Sequence, residues 1–154
     1  MTLKVGEIAP DFELPSTSGK KFKLSVDAAN IPCIIYFYPK DFTSVCTKEA
    51  CSFRDTFDFF ENLSIKVYGI SKDNIATHQE FKKVYNLPFE LFADIDVKVA
   101  KAYDSLIPFV NMPKRTTYLL DNQHKIVGVY ENLFSSKQHV EEMVKIIKKK
   151  SISS

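Results

Sequence analysis

Apolar positions along the chain fall into short blocks separated by turn signals. Pro10 to Leu24 reads as two short extended pieces around the turn Ser16-Thr17-Ser18-Gly19. Ile31 to Tyr38 is almost continuously apolar and stops at Pro39, and Pro32 can stand only at the start of such a strand. A run apolar on both faces belongs in the middle of a covered sheet. From about Ser44 to Asn62 the period changes. Ala50, Phe53, Phe57 and Phe60 recur at spacings of three and four, which predicts a helix with one buried face. Ile65 to Ser71 is a second buried strand. Asn74 starts a helix through Tyr85, and Glu90 to Ala93 is a short extended piece. Asp96 is placed to N-cap a short helix to Tyr103. Arg115 to Leu120 and Lys125 to Tyr130 form a hairpin around the turn Asp121 to His124. Ser136 is placed to cap a last helix, Lys137 to Lys149, and residues 151–154 are expected to fray.

Strands that alternate with helices and end in a hairpin plus helix mean an α/β sheet covered on both faces. The order strand, helix, strand, helix, hairpin, helix resembles a thioredoxin-like arrangement. The expected fold is a central mixed sheet flanked by helices, with a short extended hairpin added at the N-terminus. Residues 1–150 read as one domain, since no internal repeat or interdomain linker interrupts them.

A length of 154 residues and a 45% hydrophobic fraction are enough for a real core. The net charge of +2 is small, and the basic residues are spread out apart from Lys148-Lys149-Lys150. A nucleic-acid partner is therefore not expected. No apolar run approaches a membrane span of about 20 residues, and Met1 to Asp11 lacks the apolar core of a signal peptide. The expectation is a soluble, cytoplasmic protein. Three cysteines there are more in keeping with catalysis, metal binding or plain burial than with a static disulfide framework.

The segment Tyr36-Phe37-Tyr38-Pro39-Lys40-Asp41-Phe42-Thr43-Ser44-Val45-Cys46-Thr47-Lys48-Glu49-Ala50-Cys51 carries the chemistry. A buried strand delivers the chain to the sheet edge, Pro39 stops it, and Thr43 or Ser44 can cap the next helix. Cys46 then lies in the first turn, where backbone N–H groups are unpaired and the dipole is positive. That position favours the thiolate, which is the nucleophile. Cys33, inside the apolar strand, reads as a buried small apolar residue. Cys-x4-Cys, with no nearby His or third Cys, is a poor metal set. Cys51 lies five residues past Cys46, about 7.5 Å along a helix and roughly 140° around it. A disulfide needs β-carbons about 3.5–4.5 Å apart, so an intact helix cannot bridge the two sulfurs. The chain has two arginines against nineteen lysines. Arg115 opens a strand that a thioredoxin-like sheet brings near the first helix, where a guanidinium would stabilise a thiolate and hold a peroxide. Its plain alternative is a surface arginine. Arg54 suits a salt bridge, or an orienting contact to a neighbour such as Glu49.

Tyr36 to Asp55, with Pro39-x-x-x-Thr43-x-x-Cys46 and Cys51, resembles the peroxiredoxins, with the closest fit to the bacterioferritin-comigratory-protein or PrxQ subfamily. The likeness extends to Val5-Gly6, Ala9-Pro10-Asp11-Phe12, Phe53-Arg54-Asp55, Val99-Ala100-Lys101-Ala102-Tyr103 and Arg115-Thr116-Thr117-Tyr118. The resemblance implies that Cys46 is the peroxidatic cysteine and Cys51 the resolving one. It implies that Pro39 shields Cys46 from water, Thr43 hydrogen-bonds the reacting oxygens, and Arg115 fixes thiolate and peroxide. It further implies hydroperoxide substrates, a Cys46–Cys51 disulfide, thioredoxin or a similar dithiol as reductant, and no metal or other cofactor. Because the four glycines cannot form a Gly-Gly-Leu-Gly segment and no cysteine follows Cys51, low sensitivity to over-oxidation and a monomer or weak dimer are expected. The departures are Ser44-Val45 where the family often has Pro-Gly, Phe42 in place of an acidic or amide residue, and Pro113 two residues before Arg115. Two other classes stand beside this reading. A thiol–disulfide carrier is disfavoured by the missing Cys-x-x-Cys, and a non-catalytic thioredoxin-like module would not depend on Cys46.

Overall fold

The computed structural model describes residues 2–150, so the tail expected to fray lies outside the described residues. A five-stranded mixed sheet has the order β5-β4-β3-β6-β7. Its strands are β3 (Cys33–Phe37), β4 (Lys66–Ser71), β5 (Glu90–Ala93), β6 (Thr116–Leu120) and β7 (Ile126–Glu131). β3 runs parallel to β4 and antiparallel to β6. It is buried at every position, as its unbroken apolar run requires. A separate hairpin joins β1 (Glu13–Pro15) to β2 (Lys21–Lys23) around the expected turn. The thioredoxin-like α/β fold with its N-terminal addition is thus borne out.

Side chains alternate across β3, and the alternation splits the core in two. Cys33, Ile35 and Phe37 pack with Phe12, Phe92 and Tyr103 on one face. Ile34, Tyr36 and Tyr38 pack with Cys46, Phe53 and Met143 on the other. The second face is covered by α2 (Ser44–Asp55), α3 (Phe57–Asn62), α4 (Ile75–Tyr85) and α6 (Lys137–Lys150). Tyr36 lies opposite Gly69 of β4, where a β-carbon would come within 2.8 Å of the ring. Only the absent side chain leaves room for the tyrosine.

Three local expectations change. The helix over 44–62 is broken at Thr56, whose ψ of 5° ends α2 and begins α3. The bend returns Phe60 to the core beside Phe53, with ring centroids 6.2 Å apart. The short helix α5 (Lys98–Ala102) is preceded by Val97 in the left-handed region, not by Asp96. Asp94 accepts from the Val99 and Ala100 amides at 3.1 and 2.9 Å, so the cap comes from the end of β5. At α6 the hydroxyl that accepts a first-turn amide belongs to Ser135, from Gln138 at 3.3 Å. A four-residue helix, α1 (Leu24–Asp27), has no counterpart in the sequence reading. Asn74 does cap α4, accepting from the Thr77 amide at 2.8 Å.

Candidate active site

The loop between β3 and α2 is pinned from beneath. The Asp41 amide donates to Asp73 Oδ2 at 2.8 Å. Asp41 Oδ1 accepts from the Tyr38 hydroxyl at 2.6 Å, and Oδ2 lies 2.7 Å from His78 Nδ1. Ser71 donates its hydroxyl hydrogen to Asp73 as well. Phe42 adopts φ 64°, a left-handed turn that sends its ring out against Phe81 and Tyr85 of α4.

Thr43 is the N-cap residue, with extended backbone at φ −84° and ψ 155°. Its carbonyl accepts from the Thr47 amide at 2.8 Å, which is the first helical bond. Its hydroxyl donates back to the Lys40 carbonyl at 2.9 Å and takes no helix amide. Thr43 thus gives the first-turn amides no side-chain acceptor, nor does any other described residue, and Cys46 is the third residue of the helix. An anion there meets unpaired N–H groups and the positive end of the dipole. The thiol is 1% exposed and packs within the cluster of Tyr36, Ala50 and Phe53.

Glu49 follows Cys46 by one helical turn, so the two share a face. Its Oε1 accepts from Arg115 Nη1 at 3.0 Å, and Arg115 Nε donates to the Leu133 carbonyl at 3.1 Å. Both side chains are buried. The sheet therefore brings Arg115 to the helix that carries Cys46, although 66 positions separate it from Glu49. On the far side His139 of α6 places Nδ1 3.4 Å from Glu49 Oε2 and 2.7 Å from Thr117 Oγ1. Burial pushes Glu49 up to about 8 against the pull of Arg115, and pushes His139 down to about 4.

Of the residues singled out in the sequence, Pro39, Thr43, Cys46 and Cys51 lie in order on one loop and helix, with Arg115 joined through Glu49. All three cysteines are free thiols, and Cys51 is half-buried on α2. Cys33 is sealed on the opposite face of β3, and burial raises its pKa far above the ordinary thiol range. Arg54 pairs with Asp55 at 3.0 Å and donates to the Tyr85 carbonyl at 2.8 Å. It is Arg115, not Arg54, that meets Glu49. Sequence reasoning missed Asp41, His78 and His139. Their signal was slight: histidine is scarce in this chain, and two of the three are wholly buried.

Asp41, Asp73 and His78 are the one group among the described residues whose ligand atoms lie close enough for a metal, within 4.8 Å of one another. The hydrogen bonds above, with Ser71 Oγ 3.5 Å from His78 Nε2, already engage both oxygens of Asp41 and both ring nitrogens. The group therefore acts as a strut between the loop and α4.

A thioredoxin-like sheet with a cysteine in the first turn after its central strand defines a class of thiol-based redox proteins. Comparison with known sequences narrows it. The family model described as AhpC/TSA matches residues 5–129. Peroxiredoxin Q, chloroplastic, from Oryza sativa subsp. japonica is 41% identical over 145 residues, covering 92% of this chain and 65% of that one. A putative peroxiredoxin bcp from Coxiella burnetii is 40% identical over 150 residues, covering 94% and 98%. The crystal structure of peroxidoxin BcpB from Mycobacterium tuberculosis superposes with a TM-score of 0.88 at 32% identity, covering 96% and 97%. The chain belongs to the AhpC/TSA family, among the peroxiredoxins of the Q or bacterioferritin-comigratory type. It spans slightly less than two thirds of the length of the plant relative. Among the described residues, no helix is long and apolar enough to cross a membrane.

Proposed function

We propose that this chain is a thiol-dependent peroxidase that reduces hydrogen peroxide and organic hydroperoxides at Cys46. The observation that carries the reading is the placement of a single thiol in an uncapped first helical turn, one turn from the carboxyl that holds Arg115. The Cys46 thiolate attacks the near oxygen of ROOH, the O–O bond breaks, and the alkoxide leaves as ROH after taking a proton. Cys46 becomes a sulfenic acid. Pro39 keeps water from the sulfur, Thr43 hydrogen-bonds the reacting oxygens, and Arg115 presents its planar fork to thiolate and peroxide.

Cys51 is the resolving cysteine in this reading. Its thiol condenses with the sulfenic acid, releasing water and forming Cys46–Cys51. Both residues lie on α2, so the bond requires the start of that helix to unwind. A thioredoxin-type dithiol then returns the pair to thiols by exchange. Residues 1–150 act as one domain, as a monomer or weak dimer, in the cytoplasm or another compartment that supplies such a dithiol. The test is peroxide consumption coupled to a thioredoxin system, for wild type and Cys46→Ser. Turnover that persists in the variant refutes the assignment.

A further inference from the structure

Among the described residues Tyr36, Tyr38, Tyr103 and Tyr118 are fully buried. Three of their hydroxyls donate: Tyr38 to Asp41 at 2.6 Å, Tyr103 to the Pro10 carbonyl at 2.6 Å and Tyr118 to the Tyr103 carbonyl at 2.5 Å. The Tyr36 hydroxyl has no partner among the described residues. A buried tyrosine normally finds one. The ring itself is well accounted for. It stacks on Phe53 of α2 with centroids 4.6 Å apart, lies 5.3 Å from the Tyr38 ring and meets Phe89 edge-on at 6.0 Å. A phenylalanine would make those contacts equally well. The tip of the ring lies over Gly69, where a β-carbon would stand 2.9 Å from the oxygen, so β4 offers the hydroxyl no side chain. Helix α2 closes the site from the other side. Cys46, Ala50 and Phe53 belong to the same buried cluster as Tyr36. Burial, with the charges of Glu49, Asp41 and both α2 thiols, holds the phenol protonated, so its O–H is an unused donor.

We propose that Tyr36 is a positioning residue for the second half of the reaction: its unpartnered hydroxyl weakens the seat of α2 and raises the fraction of chains in which Cys51 can reach Cys46. The proposal rests on the roles given above to Cys46 and Cys51. With α2 wound, the hydroxyl is dry and unbonded. With its first turns unwound, Cys46, Ala50 and the stacked Phe53 lift away, and the oxygen meets water or a freed helix carbonyl. The hydroxyl therefore disfavours the wound state alone. One unpartnered buried hydroxyl shifts such a balance by about tenfold. Disulfide formation follows the unwound fraction. Cys51 attacks the Cys46 sulfenic sulfur, the S–S bond forms, the S–O bond breaks, and the oxygen leaves as water. Slower opening leaves the sulfenic acid to a second ROOH, which oxidises it to the sulfinic acid and departs as ROH. Attack on the first peroxide takes place on the wound helix and does not use the hydroxyl.

The test is Tyr36→Phe in the full chain, which keeps the ring and removes one oxygen. In the reduced protein without denaturant, the amides of residues 46–53 should exchange about tenfold more slowly than in wild type. A tyrosine that only packed would loosen the helix on substitution or leave it unchanged. After rapid mixing with hydrogen peroxide, quenching and mass mapping, the Cys46 sulfenic acid should form at the wild-type rate, and the Cys46–Cys51 disulfide about tenfold more slowly. At high peroxide the sulfinic product should rise in the same proportion. Wild-type rates of exchange at 46–53 and of disulfide formation overturn the proposal. So does slower exchange confined to amides that need whole-chain unfolding, since the hydroxyl is then freed only by global unfolding. A slowed first step with an unchanged second step would put the hydroxyl to work on the sulfur and also overturn it. A wild-type chain that forms no sulfenic acid refutes the peroxidase reading instead, and the exchange comparison still decides for or against Tyr36.

Discussion

Asp41 Oδ2 and His78 Nδ1 are 2.7 Å apart, with both side chains sealed from solvent, and this contact fastens the loop that delivers Cys46 to helix α4. The Asp73 carboxylate holds the Asp41 amide from the same side. The loop is therefore braced independently of α2, and the helix start can unwind while Thr43 and Pro39 keep their anchor. Replacing His78 with Ala leaves Asp41 Oδ2 buried without its hydrogen-bond partner, while Oδ1 keeps the Tyr38 hydroxyl. The expected loss is about 1–3 kcal/mol of stability, read as a lower urea midpoint, with slower peroxide reduction.

Cys46→Ser is expected to abolish peroxide reduction, because Cys33 is walled off on the other face and Cys51 lies beyond the first turn. Cys51→Ser should behave differently. It should still reduce one equivalent of peroxide, leave a Cys46 sulfenic acid trappable by dimedone, and fail to turn over with thioredoxin. Full turnover in Cys51→Ser would remove that residue from the mechanism.

The two arginines should separate cleanly. Arg115→Ala and Arg115→Lys are each expected to lower the peroxide rate about a hundredfold, the usual cost of losing one oriented donor. Arg54 spends its hydrogen bonds on Asp55 and the Tyr85 carbonyl rather than on Glu49, so Arg54→Ala should stay within about threefold of wild type in the peroxide step. Stopped-flow rates for the three variants check this.

Oxidation should link Cys46 to Cys51 and unwind the start of α2. Peptide mapping should recover that pair, not Cys33–Cys46, since β3 points Cys33 and Ile34 to opposite faces. Amides of residues 46–53 should exchange faster in the disulfide form. Equal protection in both forms would contradict the unwinding step.

Stability should depend on pH through Glu49 and His139 in opposite senses. Glu49 is raised from 4.5 to about 8, so its contribution is full below 4.5 and is lost as pH rises through 8. His139 is lowered from 6.5 to about 4, so its contribution is full above 6.5 and is lost as pH falls through 4. Between 4.5 and 6.5 the two cancel, since folded and unfolded chains each hold one proton on the pair. Above 6.5 only the folded chain holds it, and stability should fall by about 2 kcal/mol by pH 8. Denaturation midpoints across this range should lose the alkaline decline in Glu49→Gln.

The sequence by itself determined most of the strands, the main helices and the position of Cys46, because each is written in local periodicity and turn chemistry. An eight-residue apolar block cannot be exposed, and a cysteine seven residues past a strand-ending proline must fall near a helix start. The break at Thr56 and the cap from Asp94 were hidden because both depend on what the next element packs against. The tertiary structure alone decided that Arg115 rather than Arg54 meets Glu49, that Cys33 faces away, and that His78 and His139 brace the site. A buried polar group is satisfied by whatever the fold brings within hydrogen-bond reach, and that partner can stand 22 positions away, as Thr117 does from His139, or 66, as Arg115 does from Glu49.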